Sequence, residues 1–389
     1  MTRVDVAEAL PRAAEIVADV RDRGDEAVID WTERLDGERP AAIRVPVDAI
    51  AGANAEPGFL AAIRRLAVAV RAFHEPQLPA DTTVSTYPGV ESSRRFLPIG
   101  AVGVYAPGGR AAYPSSLVMA VVPAQLAGVH RIAVVSPRPP AVLLAAAREL
   151  GIDEIYAVGG AQAIAALAYG TETIPAVDKI VGPGNRWVAA AKLLVSGRVG
   201  IDLQAGPSEV LVVADETADA ELCAADLLAQ AEHGPDSECI LVTTSAALAA
   251  DVGRLTAGWE QVQIEVLGSL DEALARSDEY APEHLELHVA DPRAAAARVR
   301  NAGSIFLGPS APAVVGDYAS GANHVLPTGG LARAAGGLGL EAFLKSTQVV
   351  SATPDGLEAM RETVAALAAA EGLPLHAAAV EARFAKVAG

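Results

Sequence analysis

The chain has 389 residues, of which 51% are hydrophobic and 20% charged, a composition typical of a globular protein of roughly two to three domains. Its formal net charge of −18 at pH 7 argues against nucleic acid or an anionic membrane as a partner, because both are bound through clustered Lys and Arg. No apolar run approaches the roughly 18–20 residues of a membrane span, and the N-terminus is charged throughout, so we expect a cytoplasmic protein.

Helical patterns dominate the first part of the chain, from Met1 to about Leu78. Apolar residues recur with a period of about 3.6 in AEIVADVRDRGDEAVIDWTERL and in LAAIRRLAVAVRAF. We interpret both segments as packing helices that carry no site of their own.

The middle of the chain alternates short Val/Ile/Leu runs with Ala-rich amphipathic stretches, which is the rhythm of β-α-β units. HRIAVVSPR, DEIYAVGG and DKIVGPGN are predicted as buried parallel strands, and PAVLLAAAREL and AQAIAALAYGT as the helices between them. A second series has SEVLVVAD, ECILVTTS and VQIEVLGS as strands, with LCAADLLAQAEH and AALAADVGRLTAG as helices. The sequence therefore predicts two α/β sheets, in which we expect Cys223 and Cys239 to be small buried hydrophobic residues.

Three glycine-rich turns follow strand-like runs of the first series, at VYAPGG, GGAQA and GPGN, although the chain has no GxGxxG motif. Ligands bind at the carboxyl ends of the strands in open α/β sheets. Tyr105 is suited to stack on or hydrogen-bond a nucleotide there, and Gln162 and Asn185 to reach amide or hydroxyl groups. Ordinary βα turns that use glycine for a positive φ explain each turn equally well.

Two groups of the metal-ligand type, Gln230 and His233, lie three residues apart in LLAQAEHGPDSE, where Gly234 and Pro235 end the predicted helix. Side chains at this spacing share a helix face, so both can converge on one ion. An exposed polar turn at a helix terminus is the alternative when this motif is taken alone.

A carboxylate and an imidazole are adjacent in YAPEHLEL, at Glu283 and His284. Neighbouring residues point to opposite faces of a strand, so we place this pair on a turn after Pro282. A surface ion pair worth under about 1 kcal/mol is the alternative to an acid–base role.

The last part of the chain has a long Gly/Pro/Asn-rich segment, GDYASGANHVLPTGG, and then a tail with two short helices. Asp317 can offer a carboxylate oxygen to a divalent ion, and His324 can do the same or hold the loop through main-chain hydrogen bonds. The tail, RETVAALAAAEGLPLHAAAVEARFAKV, has little sheet of its own to pack against, so we expect it to dock elsewhere, on a second subunit.

Eight motifs in order, VGVYAPGG, GGAQAIAALAYGT, GPGN, AGPSEVLV, AQAEHGPDS, APEHLEL, GDYASGANHVLPTGG and EGLPLH, make the chain resemble the histidinol dehydrogenase family over nearly its whole length. The resemblance implies an α/β fold with two Rossmann-like domains of an incomplete dinucleotide-binding type, a helical N-terminal segment and a C-terminal dimerisation arm. The implied domains are residues 1–101 with 208–345, an NAD-contacting domain of residues 102–207, and an arm of residues 346–389 that docks on the partner subunit.

The resemblance also implies one Zn²⁺ per subunit. The family's glutamine, histidine and aspartate ligands match Gln230, His233 and Asp317. Its C-terminal histidine ligand matches His376, which family members donate from the second subunit of a homodimer, and Glu371 matches a substrate-binding glutamate. Two imidazoles, a carboxylate and an amide oxygen suit zinc, although manganese and cobalt fit the same set.

The activity implied by the resemblance is the four-electron oxidation of the amino alcohol L-histidinol to L-histidine by two molecules of NAD⁺, in the last steps of histidine biosynthesis. His284 matches the base that accepts the protons, and Glu283 the carboxylate that activates water at the aldehyde stage. The NAD contacts match Tyr105, Gln162 and Asn185. The substrate contacts match Ser208, Gln230, His233, His284, Asp317, Glu371 and His376.

Two other functions stay open at this stage. A paralogue with the same metal and Glu-His residues would oxidise another small alcohol, for example a sulfonated diol, and LARAAGGLGLEAFL departs from the family's pattern. A two-domain α/β protein that only binds a ligand is the other possibility, although it would not need an acid–base pair.

Ser208 has the alternative role of capping a turn. The chain starts close to its first helix, so we expect a peripheral contact to be absent. His74, His130 and His288 match no catalytic position and are interpreted as ordinary surface or core residues.

Overall fold

The structure is a computed structural model that describes residues 6–108, 113–203 and 206–387, so Gly109, Ala205 and the start of the predicted N-terminal segment lie outside the described residues. The α-helices in these ranges are α1 (Leu10–Arg23), α2 (Asp25–Asp36), α3 (Val47–Ala51), α4 (Pro57–His74), α5 (Pro114–Leu126), α6 (Ala141–Glu149), α7 (Gly160–Tyr169), α8 (Arg186–Val195), α9 (Ala220–Ala231), α10 (Ala246–Leu255), α11 (Leu270–Tyr280), α12 (Pro292–Ala296), α13 (Ala313–Tyr318), α14 (Pro354–Ala370) and α15 (Pro374–Val387). The strands are β1 (Thr82–Tyr87), β2 (Val90–Pro98), β3 (Ala101–Tyr105), β4 (Arg131–Val135), β5 (Ile155–Tyr156), β6 (Lys179–Val181), β7 (Gly200–Ile201), β8 (Glu209–Ala214), β9 (Glu238–Thr243), β10 (Val262–Val266), β11 (His284–His288), β12 (Ser304–Leu307) and β13 (Leu344–Ala352). None of these helices is both long and apolar enough to cross a membrane.

The chain divides into two compact units. The first is built from the chain up to Gln77 and from Ile99–Phe343, and the second from Leu78–Pro98 and the chain from Leu344 onward. The domain boundaries expected from the sequence divide the chain in another way, and they stay a prediction.

Two parallel five-stranded sheets form the framework of the first unit, which confirms the predicted α/β fold. Their strand orders are β5-β4-β3-β6-β7 and β10-β9-β8-β11-β12. Numbered within each sheet, both orders read 3-2-1-4-5, which is the Rossmann order without its sixth strand. All strands of each sheet are parallel, and the order in which they are added reverses between the first and fourth strands, that is, between β3 and β6 and between β8 and β11.

Central strands such as β8 and β9 form at nearly continuous apolar runs, because a parallel sheet with helices on both faces buries both faces of its central strands. All six residues of β8 are buried. Val210 and Val212 pack on one side with α9 residues such as Leu227, and Leu211 and Val213 pack on the other side. Cys223 and Cys239 are buried in the first of these clusters, as the sequence predicts.

The N-terminal helices pack against the helices of the first sheet, as the sequence predicts. Ile16 and Val20 of α1 and Val28 and Trp31 of α2 belong to one core cluster with α7 and α8 residues. The carboxylate of Asp25, at the start of α2, also accepts a hydrogen bond from the backbone N–H of Thr173 at 3.3 Å.

The second unit has an antiparallel sheet of order β1-β2-β13, so the expectation that the tail has little sheet to pack against was wrong. Helix α14 contacts β1 and β13, and it pairs with α15 through the salt bridge between Arg361 and Glu381. The sheet was missed because its strands lack an apolar face: every residue of β1 is exposed, and only one position of β2 is buried. Hydrophobic periodicity therefore gave no signal there.

Candidate active site and metal centre

Two cavities in the first unit are lined by nine of the eleven predicted site residues. The larger has a volume of about 1140 Å³, and the residues of interest on its wall are Tyr105, Gln162, Asn185, Ser208, His233, Glu283, His284, Asp317 and His324. The smaller, of about 10 Å³, is lined by Gln230, His233 and Asp317 together with Asp226 and Glu286. His233 and Asp317 line both, so the two cavities adjoin.

His284 is the first residue of β11, and Glu283 lies on the bend just before it, so the predicted turn was right for Glu283 and wrong for His284. Polar residues alternate with Leu285 and Leu287 along His284–His288, and the two leucines belong to the core on one face of the sheet. Such alternation is typical of a strand whose two faces meet different surroundings. The imidazole of His284 and the carboxylate of Glu283 are both buried, which also excludes a surface ion pair.

The hydrogen bond of the His284 ring determines which nitrogen is basic. Its Nδ1 lies 3.1 Å from the carbonyl oxygen of Glu209, and a carbonyl only accepts, so Nδ1 carries the proton. Nε2 is thereby the basic nitrogen, and it lies 3.9 Å from Oδ1 of Asp317. Burial lowers the pKa of His284, which favours the neutral imidazole that a general base requires.

Glu283 lies beside this imidazole, with its Oε2 3.6 Å from Nδ1 of His284. The same oxygen accepts a hydrogen bond of 2.8 Å from the backbone N–H of Glu209. Burial raises the pKa of Glu283 well above its usual value, and the charges of Glu209 and Asp317 act in the same direction. A carboxylate with a raised pKa is a stronger proton acceptor than an exposed one.

The raised pKa predicts a pH-dependent stability difference between the protein and its Glu283→Gln variant. A carboxyl whose pKa is higher in the folded state stabilises the fold fully below its unfolded pKa, near 4.5, and loses that contribution as the pH rises through the folded value. Metal-depleted wild type should therefore lose thermal stability relative to Glu283→Gln between about pH 5 and pH 8. Thermal midpoints across this range test the prediction, with exposed Glu260→Gln as the matched control. A difference that does not change with pH would contradict it.

The loop after α13 is held against the cavity by His324. Its Nδ1 donates to the carbonyl oxygen of Asp317 at 3.0 Å, and its Nε2 lies 2.9 Å from Oγ of Ser116. His324 thus makes the main-chain hydrogen bond that was one of its two predicted roles, and both ring nitrogens have partners. Its ring fixes the backbone that carries Asp317.

Gln230 and His233 come together at the end of α9. Gln230 is in the last turn of the helix, and the backbone N–H of His233 donates to its carbonyl oxygen at 3.2 Å. Gly234, with a φ of 147°, follows at once and ends the turn. Gln230 is buried, and its Nε2 has no hydrogen-bond partner among the residues that the structure describes.

The three glycine-rich turns of the first sheet bring the predicted cofactor residues to the larger cavity. The hydroxyl of Tyr105, at the end of β3, accepts a hydrogen bond of 3.1 Å from the backbone N–H of Gly160, at the start of α7. Gln162 is almost fully buried, and its Oε1 lacks a hydrogen-bond partner in the described part of the chain. Asn185 caps α8, because its Oδ1 accepts from the backbone N–H groups of Trp187 and Val188.

A buried ion pair fixes the GPGN turn that precedes Asn185. Nζ of Lys192 lies 2.6 Å from Oδ1 of Asp202 and donates to the carbonyl oxygen of Gly182, while the other oxygen of Asp202 accepts from the N–H of Gly182. Gly182 has a φ of 108°, and a Cβ there would lie 2.3 Å from the carbonyl oxygen of Tyr105. The turn at the reversal point between β3 and β6 therefore needs glycine.

Glu371 and His376 belong to the second unit. Glu371 caps the end of α14, where its backbone N–H donates to Leu367, and the backbone N–H of His376 donates to Leu373. Both side chains are exposed. Ser208, immediately before β8, lies in the first unit and is partly buried on the wall of the larger cavity.

Asp226, Glu286 and His288 form a buried cluster that the sequence analysis missed, having interpreted His288 as an ordinary residue. One ligand-type atom from each of the three lies within 4.8 Å of the others. Burial would lower the pKa of His288, but hydrogen bonds with Asp226, Cys223 and Glu286 raise it to about 11. The signal available in the sequence was the alternation in HLELH, which places Glu286 and His288 on the same strand face as His284.

Comparison with known proteins shows the family to which the chain belongs. The family model of histidinol dehydrogenase matches residues 1–384. The histidinol dehydrogenase of Thermobifida fusca is 47% identical, covering 98% of this chain and 93% of its own, and that of Halobacterium salinarum is 48% identical with the same coverage. The crystal structure of the enzyme from Elizabethkingia anophelis superposes with a TM-score of 0.92 at 36% identity, covering 100% of this chain and 94% of that one. The chain is therefore an oxidoreductase that belongs to the histidinol dehydrogenase family.

Proposed function

We propose that this chain oxidises L-histidinol to L-histidine through the aldehyde, with two NAD⁺ and one bound Zn²⁺, in cytoplasmic histidine biosynthesis. The observation that carries the proposal is the orientation of His284. Its protonated Nδ1 is held by Glu209, and its basic Nε2 is on the side of Asp317 in a cavity that Glu283 also lines.

The first oxidation needs a base for the alcohol proton. Nε2 of His284 accepts that proton as the carbon–oxygen double bond forms and the hydride leaves the same carbon for NAD⁺. The hydrogen bond from Nδ1 to the carbonyl of Glu209 persists in the imidazolium form, because Nδ1 carries a proton in both states. The ring therefore does not need to rotate during the step.

The second oxidation needs water, because an aldehyde has no hydroxyl proton to lose. The carboxylate of Glu283 accepts one proton from water as the water oxygen bonds to the aldehyde carbon, and the imidazolium of His284 returns the proton of the first step to the carbonyl oxygen, which gives the diol and a neutral His284. His284 then accepts a hydroxyl proton of the diol as the second hydride leaves for the second NAD⁺, which gives the carboxylic acid. The backbone N–H of Glu209 keeps the Glu283 carboxylate oriented throughout.

The residues at the smaller cavity fit a divalent ion. The buried Nε2 of Gln230 has no hydrogen-bond partner among the residues described. A 180° rotation of the amide exchanges its two ends, so an oxygen can point into the cavity. His233 and Asp317 line the same cavity. When bound there, Zn²⁺ would orient the substrate and polarise its oxygen, and manganese or cobalt fits the same donors.

The turns of the first sheet fit NAD⁺. Tyr105 is the last residue of β3, and Asn185 follows β6. The strand order reverses between these two strands, and dinucleotides bind at such points in Rossmann folds. The buried Oε1 of Gln162 faces the same cavity wall without a partner in the described ranges, which suits a hydroxyl or amide donor of the cofactor.

Two other activities are less well supported. The curated relatives reported above are named histidinol dehydrogenases, which does not favour a paralogue that oxidises a sulfonated diol. A buried acid–base pair beside a metal cavity has no task in a protein that only binds its ligand.

The formation of NADH from L-histidinol tests the proposal. Purified protein should reduce NAD⁺ with histidinol, lose this activity in a chelator and regain it when Zn²⁺ is added. A sulfonated propanediol serves as the comparison substrate. No NADH with histidinol, or faster turnover of the diol, would overturn the proposal.

We also propose that His376 and Glu371 complete the site of a second subunit in a homodimer. His376→Asn and Asp317→Ala should each be inactive, and a randomised mixture of the two should recover about one quarter of wild-type activity, because half of the dimers are mixed and each contains one complete site. The matched control mixes Asp317→Ala with Gln230→Ala. Both substitutions remove ligands that a subunit supplies to its own site, so no mixed dimer contains a complete site and activity should not recover. Failure of the first mixture would show that each chain builds its own site.

A further inference from the structure

The side chain of Glu286 joins two elements that carry proposed functional residues. Glu286 is fully buried on β11, two residues after His284. Its Oε1 accepts a 2.6 Å hydrogen bond from the backbone N–H of Ala313, the first residue of α13. Asp317 lies one turn later in that six-residue helix, so this bond fixes the start of the helix that presents the Asp317 carboxylate.

His288 extends the connection to a third element. Its Nε2 lies 3.2 Å from Oε2 of Glu286 and 3.5 Å from Oδ2 of Asp226, so one imidazole spans β11 and α9. Asp226 precedes Gln230 by one helical turn on α9 and shares its face. The cluster thus connects the three elements that carry Gln230, His284 and Asp317.

The smaller cavity places this cluster directly against the proposed ligands. Asp226 and Glu286 line it together with Gln230, His233 and Asp317. The amide end of Gln230 that lacks a partner within the described ranges is buried in the same place. Residues that hold metal ligands in position through hydrogen bonds typically change metal affinity about 10–100-fold when they are removed.

We propose that Asp226, Glu286 and His288 form a positioning network for the metal centre, which holds α9, β11 and α13 so that Gln230, His233 and Asp317 converge on one ion. This inference rests on the proposed metal ligands. None of the three residues lines the larger cavity, which holds His284 and Glu283, so each acts through the ligand that its element carries.

Zn²⁺ affinity, measured by competition with a chromophoric chelator, tests the network. Glu286→Ala removes the acceptor for the N–H of Ala313 and should weaken Zn²⁺ binding about 10–100-fold. Glu286→Gln retains an acceptor oxygen and should recover most of the affinity. Asp226→Asn, at a less buried position, should weaken binding toward the lower end of that range, and it provides a result even if Glu286→Ala does not fold.

Asp291→Ala is the matched control. The Asp291 carboxylate also accepts from the first turn of a short helix, α12, through Ala294 at 3.0 Å, but that helix carries no proposed ligand. This variant should lower the thermal midpoint and leave Zn²⁺ affinity unchanged. Wild-type affinity in both Glu286→Ala and Asp226→Asn would overturn the network.

Two further results separate this inference from the proposed function. If the wild-type protein binds no Zn²⁺, the metal assignment itself fails, whatever the variants do. If Gln230→Ala keeps Zn²⁺ while Glu286→Ala loses it, the cluster is itself the ion site, and its role as a positioning network is excluded.

Discussion

Replacing His284 with asparagine should lower kcat for histidinol oxidation about 10²–10⁴-fold, the usual contribution of a general base, and leave Zn²⁺ bound. Asparagine can still donate a hydrogen bond toward the carbonyl oxygen of Glu209, so the variant removes the basic Nε2 with little disturbance of the buried strand. Steady-state rates with histidinol and with the aldehyde, together with metal content, measure the effect. Both rates should fall, because the base acts in both oxidations.

The histidines of the chain provide the controls for this variant. His324 lines the same cavity, but both of its ring nitrogens are in hydrogen bonds, Nδ1 with the carbonyl oxygen of Asp317 and Nε2 with Oγ of Ser116. His324→Asn should therefore lose less activity than His284→Asn. Exposed His130→Asn should be unchanged. A larger loss in His324→Asn than in His284→Asn would transfer the role of base to His324.

Replacing Glu283 with glutamine should separate the two half-reactions. Glutamine keeps an acceptor for the N–H of Glu209 but cannot take a proton from water, so aldehyde oxidation should fall about 10²-fold. Oxidation of the alcohol to the aldehyde does not consume water and should fall much less. The measurement compares NADH formation from supplied aldehyde with the first turnover from histidinol.

His284→Asn is the reference for this comparison, because it should depress both half-reactions. Equal losses of the two half-reactions in Glu283→Gln would mean that Glu283 does not activate water. Its buried carboxylate would then serve only to hold the backbone between Glu209 and His284.

The parallel sheets were predictable from central strands such as β8 and β9, which are almost wholly buried on both faces. Segments such as SEVLVVAD and ECILVTTS have continuous apolar runs between helical periods, and they became β8 and β9. The sheet of the second unit was not predictable, because TTVSTY is exposed along its whole length and is held by backbone pairing. Strands held by backbone pairing alone show no hydrophobic periodicity in the sequence.

The candidate site was predictable only where its residues are close together in the sequence. Gln230 and His233 are close in sequence, so helical spacing alone brings them together. Their proximity to Asp317, and the tautomer of His284, depend on contacts between distant segments that spacing does not encode. The cluster around Glu286 depends on three separate elements and became apparent only from the fold.

An anomalous-diffraction structure of the Zn²⁺-loaded protein would test the proposed site most directly. We expect one ion per subunit, within about 2.0–2.2 Å of donor atoms of Gln230, His233 and Asp317, with His376 of a second subunit as the fourth ligand. An ion held by Asp226, Glu286 and His288, or the absence of any ion near Asp317, would contradict this expectation.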